Sequence, residues 1–199
     1  MNRNRMVLLL VSIIGVVVAA ALIWKTSTMT PAPAPQQTVA IGGPFQLVDQ
    51  DGRAVDQSVL EGKWSVVFFG FTYCPDICPG TLQALNAAAD LLGPRARDFQ
   101  IVFISVDPKR DTPAQMKAYL EGQALRPGTL GLTGTPAQTA AAAKAYRAYF
   151  QTVGEGEDYT VDHSTMAYLM NPKGVFDRPL GYGMTPDQMA EQITKAMGR

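Results

Sequence analysis

Two cysteines and one histidine carry most of the distinctive chemistry open to this 199-residue chain. Cys74 and Cys78 lie in Thr72-Tyr73-Cys74-Pro75-Asp76-Ile77-Cys78-Pro79, directly after the apolar run 66–71. A spacing of i, i+4 across one turn puts both sulfurs on one side, within reach of each other or of a single metal ion. Thiolates are soft ligands and suit Cu(I) or zinc. A helix opening at this point favours anions at its N-terminus, so both thiols are expected to ionise more easily than a free cysteine. The competing reading is a structural disulfide, but a bridge closing so short a loop removes little unfolded-state entropy.

His163 is the only histidine and follows the polar stretch Gly154-Glu155-Gly156-Glu157-Asp158. It stands just ahead of the apolar segment 166–170. A lone histidine is commonly exposed or satisfied in a core. This one can meet the two sulfurs only if segment 166–170 pairs with 66–71, which local pattern does not decide. Asp107 ends the apolar run 101–106 and precedes Pro108-Lys109-Arg110-Asp111. It reads equally as a cap, as a partner of Arg110, or as a secondary site residue. The nine methionines form no Met-x-Met or Met-x-x-Met cluster. Met166 and Met170 therefore read as sheet core rather than as copper ligands.

The elements that must position these residues alternate. Runs 66–71 and 101–106 are continuously apolar, as strands covered on both faces should be. A weaker strand is expected at 128–132. Asn171-Pro172-Lys173-Gly174 is a turn joining strands 166–170 and 175–177. A hairpin near 45–48 turns at Asp51-Gly52. Thr112-Pro113-Ala114-Gln115, Thr135-Pro136-Ala137-Gln138 and Thr185-Pro186-Asp187-Gln188 share one pattern. Threonine caps, proline fits the first helical position and glutamine reaches back, so helices begin near 113, 136 and 186. A further helix follows Pro79 and ends at Gly93-Pro94. The order is a β-hairpin followed by β-α-β-α-β-α-β-β-α. It predicts a three-layer α/β domain with a mixed central sheet. Residues 151–162 are expected to be a mobile loop, since they hold two glycines, several acids and little to bury.

Outside the domain, Arg3 and Arg5 precede the run 6–24, in which only Ser12 and Gly15 are not strongly apolar. Its 19 residues span about 28 Å as a helix, close to the hydrocarbon thickness of a bilayer. Positive charge ahead of it predicts a single-pass anchor with a cytoplasmic N-terminus and the domain outside. A cleaved signal peptide is the alternative, although the apolar stretch is long for one. Segment 25–41 alternates Pro31, Pro33 and Pro35 with alanine and reads as an extended spacer. The domain is expected over 42–199. With 17 basic and 17 acidic residues there is no basic excess, so nucleic acid is excluded as a partner class. Two cysteines exclude a four-cysteine zinc site and a multi-disulfide scaffold.

Three segments, 70–82 (GFTYCPDICPGTL), 104–113 (ISVDPKRDTP) and 158–174 (DYTVDHSTMAYLMNPKG), closely resemble the Sco/SenC proteins. The likeness covers nearly the whole domain, and the anchor and spacer fit it too. It implies a thioredoxin-like, peroxiredoxin-related fold. It also implies one copper per domain, as Cu(I) or Cu(II), held by Cys74, Cys78 and His163, with no departure at those three positions. Asp107 corresponds to the family's D-P aspartate, suggested to lie near the Cu(II) form. The implied role is a metal carrier at the inner (cytoplasmic) membrane, with its domain in the periplasm. Its implied partners are the subunit II copper domain of cytochrome c oxidase and, further, other periplasmic copper carriers or thiol reductants.

The main rival is a thiol–disulfide oxidoreductase acting through a redox-active Cys74–Cys78 pair on the same partner. The C-x-x-x-C spacing differs from the C-x-x-C of general thiol oxidoreductases. A peroxidase is disfavoured, because no arginine adjoins the cysteine motif. A copper or redox sensor is a third reading.

Overall fold

The computed structural model describes residues 12–21, 24, 40–156 and 158–198. Residues 12–21 and 24 are helical and exposed. Among the described residues no helix is long and apolar enough to cross a membrane. The rest of the apolar run 6–24, and residues 25–39 of the expected spacer, lie outside them. The chain from Ala40 onward is one compact unit.

That unit is built on a seven-stranded sheet, in the order β2-β1-β5-β4-β3-β8-β9. The strands are β1 (Gln46–Asp49), β2 (Ala54–Asp56), β3 (Trp64–Gly70), β4 (Phe99–Ser105), β5 (Leu130–Thr133), β8 (Ala167–Met170) and β9 (Phe176–Leu180). The central strands β3, β4 and β5 run parallel, whereas β1, β8 and β9 pair antiparallel with their neighbours. The sheet is therefore mixed, as expected. β4 is buried along its length and β3 from Ser65 onward, which explains their unbroken apolar sequence. Pro179 falls in the edge strand β9, where a missing N–H costs no ladder bond.

Alternation along β3 assigns the helical layers. Phe68 stacks on Phe103 of β4, which meets Tyr119 of α2 (Pro113–Gly122). On the same face, Gly70 lies against Cys78 of α1 (Ile77–Leu91), and α1 packs on α4 (Pro186–Met197). Phe69 points to the opposite face and meets Tyr146 of α3 (Pro136–Tyr146). The helices thus sandwich the sheet in three layers.

Local signals set the helix starts. Thr112, Thr135 and Thr185 each accept a hydrogen bond from the main-chain N–H of the glutamine three residues on. At Thr135 and Thr185 the glutamine side chain completes the reciprocal capping box. Gln115 does not: its amide donates instead to the hydroxyl of Thr72, at 3.1 Å. Helix α1 starts at Ile77, so Pro79 sits inside its first turn, where no intrahelical N–H is lost.

Residues 150–163 depart from the expected loop. β6 (Phe150–Val153) and β7 (Thr160–His163) form an antiparallel hairpin outside the main sheet. Its turn uses Gly154 and Gly156 at positive φ, 97° and 77°. Gly154, Glu155, Gly156 and Asp158, which suggested a loop, lie between the two strands, whereas Asp162 is in β7 and Val161 is buried in the core. A strand with so few apolar positions carries almost no period-2 signal.

Candidate metal centre

β3 ends at Gly70, and the chain then turns through Phe71, Thr72 and Tyr73 to Cys74. The turn is closed by a bond from the Cys74 N–H to the Phe71 carbonyl, at 3.3 Å. Asp76 occupies the N-cap position of α1 but makes no side-chain cap. The Cys74 sulfur takes that role, accepting from the Cys78 N–H at 3.4 Å. It therefore sits against the positive end of a helix. Cys78 lies in the first turn and is fully buried.

Gly70 permits that burial. A Cβ there would lie 2.6 Å from the Cys78 sulfur and 2.8 Å from Phe103. A glycine inside an apolar strand, eight residues ahead of Cys78, was the available sequence sign of a close approach.

Residue 163 arrives from the far side. β8 pairs with β3, opposing Phe68 to Ala167, and delivers the end of the hairpin to the mouth of the cysteine turn. The His163 ring stands edge-on to Phe68 and Phe71, with centroids 6.2 and 5.7 Å away. Nδ1 lies 2.9 Å from the Ser164 carbonyl oxygen, an acceptor only. That contact assigns the proton to Nδ1 and leaves the Nε2 lone pair free. Nε2 points at the Cys78 sulfur, 3.4 Å away. The two sulfurs and an imidazole nitrogen all lie within 4.8 Å of one another. A trigonal metal needs ligand atoms about 4 Å apart, so small side-chain adjustments close the site.

The two sulfurs are electrostatically unequal. The thiol of Cys78 donates to the Cys74 sulfur and, with main-chain N–H groups of Cys78 and Asp76, lowers the Cys74 pKa to about 5. That same bond, reinforced by burial, pushes Cys78 up from its ordinary value. The expectation that both thiols ionise easily is therefore half right. The helix entrance stabilises one thiolate, whose charge then opposes a second.

Asp107 is not among the converging ligands. Its carboxylate accepts from the Tyr159 hydroxyl and from Arg110 Nε, both at 2.6 Å. The reading of Asp107 as a partner of Arg110 matches this arrangement. Met170 is buried in the sheet, as expected, whereas Met166 is 41% exposed beside the histidine loop rather than in the core.

Sequence reasoning missed Asp111. It is fully buried and accepts from the Thr72 N–H and hydroxyl (3.1 and 2.7 Å) and from the Ser105 hydroxyl (2.6 Å). Burial nevertheless holds its carboxyl above the usual carboxylate range. It anchors the turn two residues ahead of Cys74. An acid next to a capping threonine gave only the signal of a solvated helix start.

A family model described as SCO1/SenC matches residues 33–198. SenC of Rhodobacter capsulatus is 44% identical over 154 residues, covering 77% of this chain and 69% of that protein. The mitochondrial SCO1 homolog 1 of Arabidopsis thaliana is 43% identical over 78% of this chain, which spans 47% of that longer protein. The structure of Bradyrhizobium japonicum ScoI with copper bound superposes with a TM-score of 0.72. It is 43% identical and covers 78% of this chain and 99% of that one. BsSco, described as a member of the Sco family of cytochrome c oxidase assembly proteins with a disulfide switch, is 25% identical, with a TM-score of 0.62 over 81% of this chain and 95% of its own. The mixed-sheet architecture is thus the thioredoxin-like one that the sequence motifs imply. With its two cysteines and histidine converging as one potential metal site on that fold, the chain belongs to the SCO1/SenC family.

Proposed function

We propose that this protein is a copper carrier that loads the dinuclear copper centre of cytochrome c oxidase. The observation that carries the reading is the convergence of the Cys74 and Cys78 sulfurs with an imidazole nitrogen of His163. Two thiolates and a neutral imidazole give a net charge of −1 around Cu(I) and zero around Cu(II). Soft and borderline ligands suit both states. Three ligands leave room for an incoming thiolate, so copper can pass by ligand exchange without release of the free ion. Copper in the Bradyrhizobium relative, and the assembly role stated for BsSco, support the choice of metal and process.

The apolar run 6–24 behind Arg3 and Arg5 supports a single-pass anchor in the inner membrane, with the domain in the periplasm. The recipient is then the periplasmic copper domain of oxidase subunit II. A reporter active only outside the cytoplasm, fused after residue 40, should be active and membrane-bound. A soluble cytoplasmic fusion would defeat the anchor.

A second reading has its own support: the unequal sulfurs. A ready thiolate at Cys74 beside a protonated Cys78 is the arrangement of an attacking and a resolving thiol. Such a pair would reduce a disulfide of the recipient and itself become the Cys74–Cys78 disulfide. The deciding experiment incubates the copper-loaded chain with the isolated subunit II copper domain. Metal and thiol oxidation are scored separately. Copper appearing in the recipient with no new disulfide in the donor supports the carrier. A donor disulfide formed, with its copper released and none reaching the recipient, supports the reductase.

A further inference from the structure

The segment between β4 and α2 touches both halves of the candidate metal centre. At one end, Asp111 binds the main chain and hydroxyl of Thr72, fixing the turn that carries Cys74. At the other, Asp107 and Arg110 close on Tyr159, four residues ahead of His163. The Tyr159 hydroxyl donates to Asp107 Oδ1 at 2.6 Å, and Arg110 Nε donates to Oδ2 of the same carboxylate at 2.6 Å. Arg110 Nη1 donates to the Tyr159 carbonyl at 2.9 Å. The guanidinium also lies over the Tyr159 ring, 3.8 Å from its centroid, and 4.8 Å from that of Tyr73. Tyr159 is thus held by its hydroxyl, its ring face and its main chain together.

The need for such a hold follows from the topology. β6 and β7 pair only with each other, so no ladder of the main sheet fixes the hairpin. Near His163 the hairpin is closed by Ser164 and Tyr149, bonded to each other through two 2.9 Å contacts within the same segment. Those bonds tie the hairpin to itself. The bonds from Arg110 and Asp107 to Tyr159 tie it to the body of the domain.

We propose that Tyr159 is a positioning residue for His163, clamped by Arg110 and Asp107 so that the imidazole is held against the sulfurs. The proposal rests on the copper reading above and deepens it, because its effect should depend on oxidation state. Two thiolates alone can hold Cu(I) in two-coordinate geometry, whereas Cu(II) needs further nitrogen or oxygen ligands. Loosening His163 should therefore weaken Cu(II) far more than Cu(I).

The test uses the full chain with Tyr159→Ala, which removes hydroxyl and ring, and Tyr159→Phe, which removes the hydroxyl alone. Tyr159→Ala should bind Cu(II) about 10–100-fold more weakly, the range found when a ligand's supporting residue is lost, while Cu(I) affinity stays within about threefold. Tyr159→Phe should fall between it and wild type. Nitrogen hyperfine coupling in the Cu(II) paramagnetic resonance spectrum should diminish in the same order. In a His163→Ala background, Tyr159→Ala should cost no further Cu(II) affinity. Wild-type Cu(II) binding by Tyr159→Ala would overturn the proposal. So would equal loss of both oxidation states persisting without His163, which marks general loosening.

A metal-free arm separates this idea from the copper reading. Amide exchange at residues 150–153 and 160–163 of the apo chain should quicken in Tyr159→Ala. Unchanged exchange would refute the clamp even if copper binds. Quickened exchange in a chain that takes no copper would retain the clamp and reject the carrier.

Discussion

At the residue scale, the environment separates Cys74 from Cys78 although both lie at one helix entrance. Cys74 has a pKa near 5, so its thiolate is complete at neutral pH and is lost only as pH falls through that value. Cys78 keeps its proton across the neutral range. Iodoacetamide at pH 7 should therefore alkylate Cys74 first, and its rate should fall by half near pH 5; mass mapping of the modified peptide reads both. Equal labelling of the two sites would remove the asymmetry. Copper must displace the remaining proton, so loading at pH 7 should release about one proton per copper. A weakly buffered titration followed by pH electrode distinguishes one from two or none. Gly70 gives the matching steric prediction. Gly70→Ala forces its Cβ against the Cys78 sulfur, with a cost of about 1–3 kcal/mol typical of overpacking. It should weaken Cu(I) binding at least about tenfold, since a displaced ligand costs as much as a lost support. Competition with a chromophoric Cu(I) chelator measures it.

At the element scale, the turn after β3 is held from behind rather than by its own sequence. Asp111 receives three donors, and Gln115 abandons its capping box to bond Thr72. Asp111→Ala leaves those buried donors unpaired, at roughly 1–3 kcal/mol for each group not rescued by water. It should lower the denaturation midpoint and, in the folded remainder, slow or weaken copper uptake. Thr135→Ala and Thr185→Ala remove caps from helices that carry none of the three converging residues and should each cost about 1 kcal/mol of stability. Copper affinity should stay at the wild-type level in both, so denaturant melts and copper titrations on the three variants separate scaffold from site. An Asp111→Ala protein with only the cap-sized loss and intact copper binding would show that the turn stands unaided.

At the scale of the whole molecule, the site is assembled from elements far apart in sequence. Residues 74–78 follow a central strand, and His163 returns 85 residues later through a hairpin beside β8. No local segment contains all three converging residues, so the complete site should appear only with the folded sheet. Copper loading should raise the melting temperature, because the ion binds the assembled triad and far less to the unfolded chain. Calorimetry of apo and loaded protein checks this, and a midpoint unmoved by saturating Cu(I) would contradict a preassembled site. The Asp107–Arg110–Tyr159 contact belongs to this scale as well, since it couples the hairpin to the loop that holds the cysteine turn.

Much of this molecule was readable from its residues. The strands β3 and β4 announced themselves by unbroken apolar runs, three helix starts by their threonine caps, and the β8–β9 turn by Asn171 to Gly174. These are local properties, written within a few residues and governed by capping, burial and turn chemistry. The three residues that converge as a potential metal site were also readable, because few other side chains could serve and the surrounding motifs resemble one family. The hairpin β6–β7 was not, since its exposed strands offer no alternation and its turn residues imitate a loop. The placement of β8 against β3, the division of charge between the sulfurs, the clearance at Gly70 and the grip on Tyr159 were decided by tertiary structure alone. Each depends on atoms brought together across tens of residues, and neither periodicity nor propensity records which distant surfaces will meet.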